Sequence, residues 1–202
     1  MRKILLICVF IGCCFGFVFA QERFEEKKFG FSMTKPAKWF EAEKSDLVKN
    51  LQKVDISDEK LDKLLKEDNR SILLVAFYKY LPNEHVGLIP KAQVDVRLNP
   101  TKTYEQFRSS LLKSMESFKS YFPDFEFLET PKDVEVSSIK SLSTFSKFTV
   151  KMENGQSLKA RSRTYAIPYK QYFFQISLTD GQNEEDCSKI FDEIVKSIKI
   201  GN

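Results

Sequence analysis

The sequence predicts an α+β fold in which helices pack on an antiparallel sheet, and two observations predict it. Segments that alternate between apolar and polar residues, as strands do, are mixed along the chain with segments that have the apolar spacing of helices. The connections between the last predicted strands are short enough for hairpins, which join antiparallel neighbours. Because we find no internal repeat, low-complexity segment or linker, we assign residues 21–202 to a single domain.

Residues 1–20 are predicted to be a signal peptide that is removed on export. Arg2 and Lys3 provide its positive start, and a long apolar run follows that ends at Ala20, a small residue of the kind that signal peptidase needs. The alternative is a retained membrane anchor, but the apolar run is shorter than the ~20 residues of a spanning helix. We therefore expect an extracytoplasmic protein, periplasmic or secreted, with no transmembrane span after cleavage.

The cysteines fit an exported protein that does not depend on disulfides. Three of the four lie within the predicted leader, so Cys187 alone remains after cleavage and cannot form an internal disulfide. Cys187 falls on the apolar face of the last predicted helix, which indicates a buried, inert thiol and not a nucleophile. A minor alternative for the leader is lipoprotein processing, which would anchor the protein through Cys13 or Cys14.

Charge and reactive groups exclude several function classes. The formal net charge is +4, and removal of the leader takes away two cations, which leaves +2 and argues against a nucleic-acid-binding protein. His85 is the only histidine, with no mature cysteine near it in the sequence, so we predict neither a metal site nor a catalytic role for it. The sequence also lacks a nucleophile elbow and a glycine-rich phosphate loop, and it implies no cofactor.

The first half of the mature chain predicts two strands separated by a helical unit. Residues 29–33 are a short strand that Pro36 ends, and Trp39 just after it is expected in the core. Residues 45–68 show the apolar spacing of two short amphipathic helices. In residues 71–78 the odd-numbered and the even-numbered positions are both largely apolar, which is typical of a central strand covered on both faces.

The next segment predicts a strand with one solvent-facing side and then a long helix. Residues 94–98 alternate between apolar and polar side chains, so the polar face of this strand is expected to be exposed to solvent. Thr103 and Gln106 have the spacing of a capping box. The helix that they begin carries an apolar stripe and is expected to run until Pro123 ends it.

The last third of the chain predicts four strands and a final helix. The strands cover residues 125–136, 142–152, 158–167 and 171–178. Asn183 is expected to cap the final helix, whose apolar residues recur at helical spacing and predict that it packs on the sheet.

The turn at residues 153–156 allows the faces of its flanking strands to be predicted. A two-residue Asn-Gly loop would mix apolar and charged side chains on both faces, whereas a three-residue loop with Gly155 in the left-handed position separates them. We predict the three-residue loop, because a one-residue slip moves every side chain to the wrong face. The cross-strand pairs predicted for it are Met152 with Leu158, Val150 with Ala160 and Phe148 with Ser162.

The other face of this hairpin is predicted to be strongly basic. It collects Lys147, Thr149, Lys151, Lys159, Arg161 and Arg163. Like charges in opposite positions repel, so these side chains must be solvated or neutralised. One hypothesis is a face that binds an acidic protein, an anionic lipid surface or another polyanion through Lys147, Lys151, Lys159, Arg161 and Arg163. The alternative is an ordinary solvated face, balanced by acids of a neighbouring element.

The two ends of the mature chain carry a resemblance to a known family. Gly30-Phe31-Ser32, followed by Pro36 and Trp39, resembles the opening of the PsbP-like proteins. This group includes the photosystem extrinsic protein, the Mog-type Ran-binding proteins and bacterial DcrB-like envelope proteins. Leu178-Thr179-Asp180, with the helix after it, resembles the last strand and helix of that group, so the resemblance covers residues 28–199.

The resemblance implies an α/β/α sandwich around a mainly antiparallel sheet. It also implies a non-enzymatic role as a binding or scaffolding module, with the bacterial envelope branch as the nearest match, and we transfer no family site residue. We therefore expect an exported binding or assembly protein of the cell envelope or secreted space. The alternatives are a lipid-anchored envelope component and a hydrolase with a carboxylate-based site. A deep pocket lined by two or more acids would favour the hydrolase, and a shallow, wet sheet face would favour the binding protein.

Overall fold

The computed structural model describes residues 22–42, 71–81, 84–152 and 155–201. The predicted signal peptide and the two helices predicted within residues 45–68 lie outside the described residues, so both stay predictions. The described elements in chain order are β1 (Arg23–Glu26), β2 (Phe31–Thr34), β3 (Phe40–Glu41), β4 (Ile72–Tyr78), β5 (Lys91–Leu98), α1 (Tyr104–Glu116), β6 (Glu126–Val136), β7 (Ile139–Lys151), β8 (Ser157–Tyr169), β9 (Tyr172–Gly181), α2 (Ser188–Ser197) and β10 (Lys199–Ile200). Short 3-10 helices cover Lys27–Phe29 and Ser117–Ser120.

The strands form two antiparallel sheets. The larger has seven strands in the order β3-β4-β5-β9-β8-β7-β6, and the smaller has three in the order β1-β2-β10. Two-residue turns join β6 to β7 and β8 to β9. In the first of these turns Ser137 and Ser138 both have positive φ, the geometry that matches the twist of hairpin strands. The predicted hairpins and the predicted α+β fold are therefore confirmed.

One face of the seven-stranded sheet carries the main core, under α2 and the small sheet. Val94 on β5 and Phe174 on β9 are 0% exposed there, and the Phe174 ring lies 5.0 Å from the ring of Phe31 in the small sheet. Trp39 packs edge-on against Phe191 of α2, with 6.4 Å between ring centroids, which confirms its predicted place in the core. Burial of this apolar surface is the main force that holds the layers together.

The opposite face of the sheet is covered by α1, which completes the predicted α/β/α sandwich. Thr103 caps α1, because its side chain accepts a hydrogen bond from the backbone N–H of Gln106 at 3.2 Å. Phe107 is the buried anchor of α1 and lies edge-on to Phe173, with 5.3 Å between ring centroids. After Glu116 the chain tightens into the 3-10 helix, so the α-helix is shorter than the sequence predicted.

The predicted start of the last helix was wrong. The helix α2 begins at Ser188, and its cap residue is Cys187 and not Asn183. The reason is that two carboxylates bind the first free N–H groups. Asp180 accepts from the N–H of Cys187 at 2.9 Å, and Asp186 accepts from the N–H of Ser188 at 2.9 Å. These acceptors replace the predicted side-chain cap at position 183.

The hairpin of β7 and β8 has the predicted three-residue loop. Met152 N donates to Gln156 O at 2.8 Å, and Gly155, whose φ is 81°, donates to Met152 O at 2.9 Å. The predicted pairs were wrong by two positions, because the loop closes directly between Met152 and Gln156. Val150 pairs with Leu158 and Phe148 with Ala160, in place of the predicted pairs of Met152 with Leu158, Val150 with Ala160 and Phe148 with Ser162. A two-residue error leaves every side chain on its predicted face.

Candidate functional site

A groove lies between the seven-stranded sheet and the segment formed by the second half of α1 and the 3-10 helix Ser117–Ser120. It consists of two adjoining cavities, with volumes of about 620 Å³ and 310 Å³. The two cavities share Met115, Phe118, Thr164 and Gln175 among their lining residues, so we treat them as one groove. The groove lies on the sheet face opposite the main core.

The floor of the groove is a grid of short polar side chains on the four central strands. The antiparallel register aligns side chains of neighbouring strands, so they form transverse rows. The row nearest the β7–β8 loop consists of Ser146, Ser162, Thr179 and Lys91, and the next row consists of Thr144, Thr164, Ser177 and Gln93. Six of these eight residues are serine or threonine, whose small volume leaves space above the sheet.

The roof of the groove is formed by aromatic side chains of α1 and the residues after it, and these side chains contact the sheet at two points. At one end the Phe107 ring contacts the Phe173 ring at 5.3 Å, and at the other end the Phe122 ring lies 4.9 Å from the Phe148 ring. Between these two contacts Phe118 stands above the hydroxyl grid. The two ring contacts hold the roof above the sheet, and the short floor residues do not fill the gap between them.

One hydroxyl of the floor is buried without a partner. Thr144 is 3% exposed and its Oγ1 has no hydrogen-bond partner, whereas in the neighbouring row Thr179 Oγ1 donates to Ser162 Oγ at 3.2 Å. A buried hydroxyl that lacks a partner costs about 1–3 kcal/mol. The floor therefore has hydrogen-bonding capacity that the protein does not use itself, which is what a site for a polar group requires.

Cations mark both ends of the groove along β5. Lys91 lines the smaller cavity and Arg97 lines the larger one. Lys91 Nζ donates to Gln93 Oε1 at 3.3 Å, and Gln93 Nε2 donates to Asp95 Oδ2 at 2.8 Å. Burial raises the pKa of the Asp95 carboxyl, because its charged form is desolvated. The described residues that line the groove include no aspartate or glutamate, so the pair of acids on which the hydrolase alternative depends is not found in this groove.

The basic residues predicted for the hairpin do share one face, but that face lies on the other side of the sheet from the groove. Two of them bind acids of neighbouring elements. Arg161 forms a two-bond ion pair with Asp180, at 2.6 Å and 3.0 Å, and Arg163 Nη1 lies 3.0 Å from Asp192 of α2. The Asp180 carboxylate holds the pKa of the Arg161 guanidinium above its usual value. The two arginines are therefore neutralised, as the solvated-face alternative expects.

The three lysines of the same face differ in whether a carboxylate lies beside them. Lys147 Nζ lies 2.9 Å from Glu126 of β6. Lys151 and Lys159 are exposed, and within the described part of the chain no carboxylate oxygen lies within 4.0 Å of either ammonium group. Anion binding by this face stays a prediction, and these two lysines are the members that the fold leaves available for it.

Neither of the two reactive side chains of the mature sequence, Cys187 and His85, lines the groove, although the charge of Glu185 acts on both. Cys187 is 1% exposed, which confirms that its thiol is buried, and burial raises the pKa of this thiol to about 11. The His85 ring stacks on Tyr80 with 4.4 Å between centroids. Over the described ranges, no group of three or more histidine, cysteine, aspartate or glutamate residues is placed to hold a metal ion.

The groove was not predicted from the sequence, although part of its signal was visible. The polar face of the strand at residues 94–98 was interpreted as wet, but Asp95 on that face is only 5% exposed. The corresponding face of β9 carries Gln175, Ser177 and Thr179 between its apolar residues. Hydroxyl and amide side chains in matching positions of adjacent strands are the signal that could have indicated a polar floor.

Solved structures with the same overall fold include PsbP. The solution structure of cyanobacterial PsbP (CyanoP) from Synechocystis sp. PCC 6803 matches with a TM-score of 0.56 at 12% sequence identity, over 95% of this chain and 99% of that chain. A crystal structure from Bacteroides thetaiotaomicron VPI-5482 matches with a TM-score of 0.50 at 14% identity, over 90% of this chain, which spans 49% of that protein. LpqN of Mycobacterium tuberculosis, involved in cell envelope biogenesis, gives a TM-score of 0.48 at 10% identity, over 91% of this chain and 86% of that chain, and we base no argument on it.

These comparisons show a PsbP-like fold and nothing finer. The Mog-type and DcrB-like branches of the predicted resemblance stay predictions. No family model matches the chain, and no curated protein matches it significantly. None of the helices in the described segments is both long and apolar enough to span a membrane.

Proposed function

We propose that this chain is an exported, non-enzymatic binding protein that holds a small amphipathic molecule in the groove between α1 and the seven-stranded sheet. The observation that carries the proposal is the pairing of a hydroxyl grid on the floor with an aromatic roof above it. A ligand that is apolar on one side and forms hydrogen bonds on the other matches both surfaces at once.

Three further features support this proposal. The buried Thr144 hydroxyl has no partner within the protein, and a polar group that enters the groove can provide one. Serine and threonine hydroxyls both donate and accept, so the floor can bind either kind of ligand group. The leader predicted at residues 1–20 supports a site of action outside the cytoplasm.

A groove-filling variant tests the proposal. Thr164 lines both cavities, so Thr164→Phe is expected to occupy their shared space and to lower the affinity for an apolar ligand by about tenfold or more. The probe is N-phenyl-1-naphthylamine, an uncharged dye whose fluorescence rises on binding, titrated into the purified wild type and variant.

The matched control for this variant is Ser157→Phe. Ser157 is exposed and lies on the same strand, but its side chain projects from the other face of the sheet. It should bind the dye as the wild type does. If the wild type does not bind the dye, or if Thr164→Phe binds it with unchanged affinity, the groove is not the binding site.

A second proposal is that Lys151 and Lys159 bind an anionic partner, either an acidic protein or an anionic lipid surface. The absence of a described carboxylate beside either lysine favours it. The double variant Lys151→Glu/Lys159→Glu is expected to weaken binding to phosphatidylglycerol vesicles by roughly 30-fold, since each lysine near such a surface contributes a fewfold gain. Co-sedimentation measures this, and retention on a heparin column tests a polyanion that is not a membrane.

The control for the charge reversal is Lys113→Glu/Lys196→Glu, which changes the net charge equally at two exposed positions on the helices. Equal losses in both double variants would indicate a general charge effect and would contradict a localised face. The arginines of the face are poor choices for this experiment, because their ion pairs hold α2 and the strand before it.

A further inference from the structure

We propose that the ligand of the groove is an acidic amphiphile, with its anionic group on the ammonium of Lys91 and its apolar body beneath the aromatic roof. This inference rests on the proposed function of the groove and adds the chemical class of the ligand. The anionic group is a carboxylate or a phosphate, since both are oxygen anions that accept hydrogen bonds from an ammonium group.

Lys91 is a half-buried cation that has no acid beside it. It is the first residue of β5 and lines the smaller cavity together with Leu88 and Gln93. Its Nζ donates to Gln93 Oε1 at 3.3 Å, and among the described residues no carboxylate oxygen lies within 4.0 Å of it. An ammonium group has three donors, so the contact with Gln93 leaves two of them for a ligand.

The nearest acid on the same face of β5 is already held by another residue. Asp95 lies two rows further along the strand, and its carboxylate accepts the amide of Gln93 at 2.8 Å. Glu185, outside the groove, is bound by Lys79 and by the hydroxyl of Tyr80. Lys91 is linked to Asp95 only through Gln93, so its ammonium has no direct ion pair among the described residues. It lies at the edge of a partly buried cavity, where an anion from outside is bound more strongly than in water.

The residues around Lys91 match the two parts of such a ligand. In the same transverse row Thr179 and Ser162 bring hydroxyl groups beside the cation. Phe118, Phe122 and Phe125 line the smaller cavity on its roof side. An inorganic anion would leave the cavity-facing surfaces of these rings uncovered, whereas an amphiphile contacts the rings and the cation together.

The cation at the other end of the groove has a different environment. Arg97 is exposed and lies six residues from Lys91 on the same strand, a distance of about 20 Å at the rise of an extended chain. It lines the larger cavity beside Leu98 and Pro100, and of the three phenylalanines only Phe118 lines that cavity. The apolar body of an amphiphile therefore has more aromatic surface in the cavity of Lys91 than in that of Arg97.

A headgroup series tests the inference on the whole protein. Decanoate, decyl phosphate, decanol and decyltrimethylammonium share one apolar chain, and each is used to displace N-phenyl-1-naphthylamine from the purified wild type. We expect decanoate or decyl phosphate to bind about tenfold more tightly than decanol, and the cationic compound to bind most weakly. The ratio between decanoate and decyl phosphate identifies which anion the site prefers.

Variants assign the preference to one residue. Lys91→Gln should bring the anionic compounds to within about twofold of decanol, and Lys91→Arg should keep the preference. Lys196→Gln, at an exposed position of α2 outside the groove, is the control and should leave the preference unchanged.

Equal displacement by all four compounds from the wild type overturns the inference while the proposed groove stands. A preference that survives Lys91→Gln, or that is lost in Arg97→Gln, also overturns it. Failure of the dye itself to bind removes the groove function as well. If Lys91→Gln does not fold, the wild-type series and Arg97→Gln still decide the question, since either can overturn the inference.

Discussion

Replacement of Phe174 by alanine is expected to lower the free energy of unfolding by about 3–5 kcal/mol, the cost of a cavity in place of a fully buried phenylalanine. Phe174 is 0% exposed, and its ring lies 5.0 Å from Phe31 of the small sheet and 6.2 Å from Tyr169 of β8. Because Phe174 joins two sheets, its neighbours cannot fill the cavity unless the sheets move together. Urea unfolding measured by the fluorescence of Trp39, the only tryptophan, reports the change.

Phe40→Ala is the matched control, since Phe40 is 43% exposed on a two-residue strand. Its effect should stay below about 1 kcal/mol, as for most exposed substitutions. Equal shifts for the two variants would mean that the layer between the sheets is not the stabilising core. Neither change touches the groove, so binding of the dye by folded Phe40→Ala should match the wild type.

Local periodicity was enough to predict most of the strands and the side chains that each strand buries. The run at residues 71–78 forms β4 and is buried on both faces, as predicted. Its predicted central place was wrong, because β4 is second in the sheet, beside the two-residue strand β3. The alternation of Phe174 and Ile176 marks the core face of β9. The hairpin at Gly155 shows why such predictions tolerate errors. Its pairs were off by two residues, yet the faces were correct, because side chains alternate with a period of two.

Features that depend on contacts between distant residues could not be predicted in this way. Helix α2 begins at Ser188 because the Asp180 carboxylate, on the preceding strand, accepts a hydrogen bond from the N–H of Cys187. The groove depends on the height of α1 above the sheet, which is set by the contact of Phe107 with Phe173 at one end and of Phe122 with Phe148 at the other. No local pattern encodes these distances, so the polar face of β5 was interpreted as solvent-exposed.

Replacement of Asp180 by alanine is expected to destabilise the protein by about 2–3 kcal/mol, because it removes a buried carboxylate that binds both a guanidinium and a backbone N–H. Arg161 keeps a second ion pair, with Asp186 at 3.0 Å, so its charge is not left without a partner. Asp180 is 2% exposed and makes three contacts, two with the Arg161 guanidinium at 2.6 Å and 3.0 Å and one with the N–H of Cys187 at 2.9 Å. Its loss therefore also frees the first N–H group before α2. Urea unfolding of the variant beside the wild type measures the effect.

Two control variants distinguish the effect of burying the carboxylate from the effect of its charge. Asp192 forms an ion pair with Arg163 through one contact, at 3.0 Å, and its side chain is 54% exposed, so Asp192→Ala should cost less than about 1 kcal/mol. Asp180→Asn keeps an oxygen for the N–H of Cys187 and should fall between the two alanine variants. In a double-mutant cycle with Arg161→Ala, the combined loss should be smaller than the sum of the single losses, because each single variant already loses the contact between the two side chains and the double variant loses it only once. Additive losses, or an Asp180→Ala effect no larger than that of Asp192→Ala, would contradict a stabilising role for the ion pair of Arg161 with Asp180. Arg161 would then again be a candidate for binding an anionic partner.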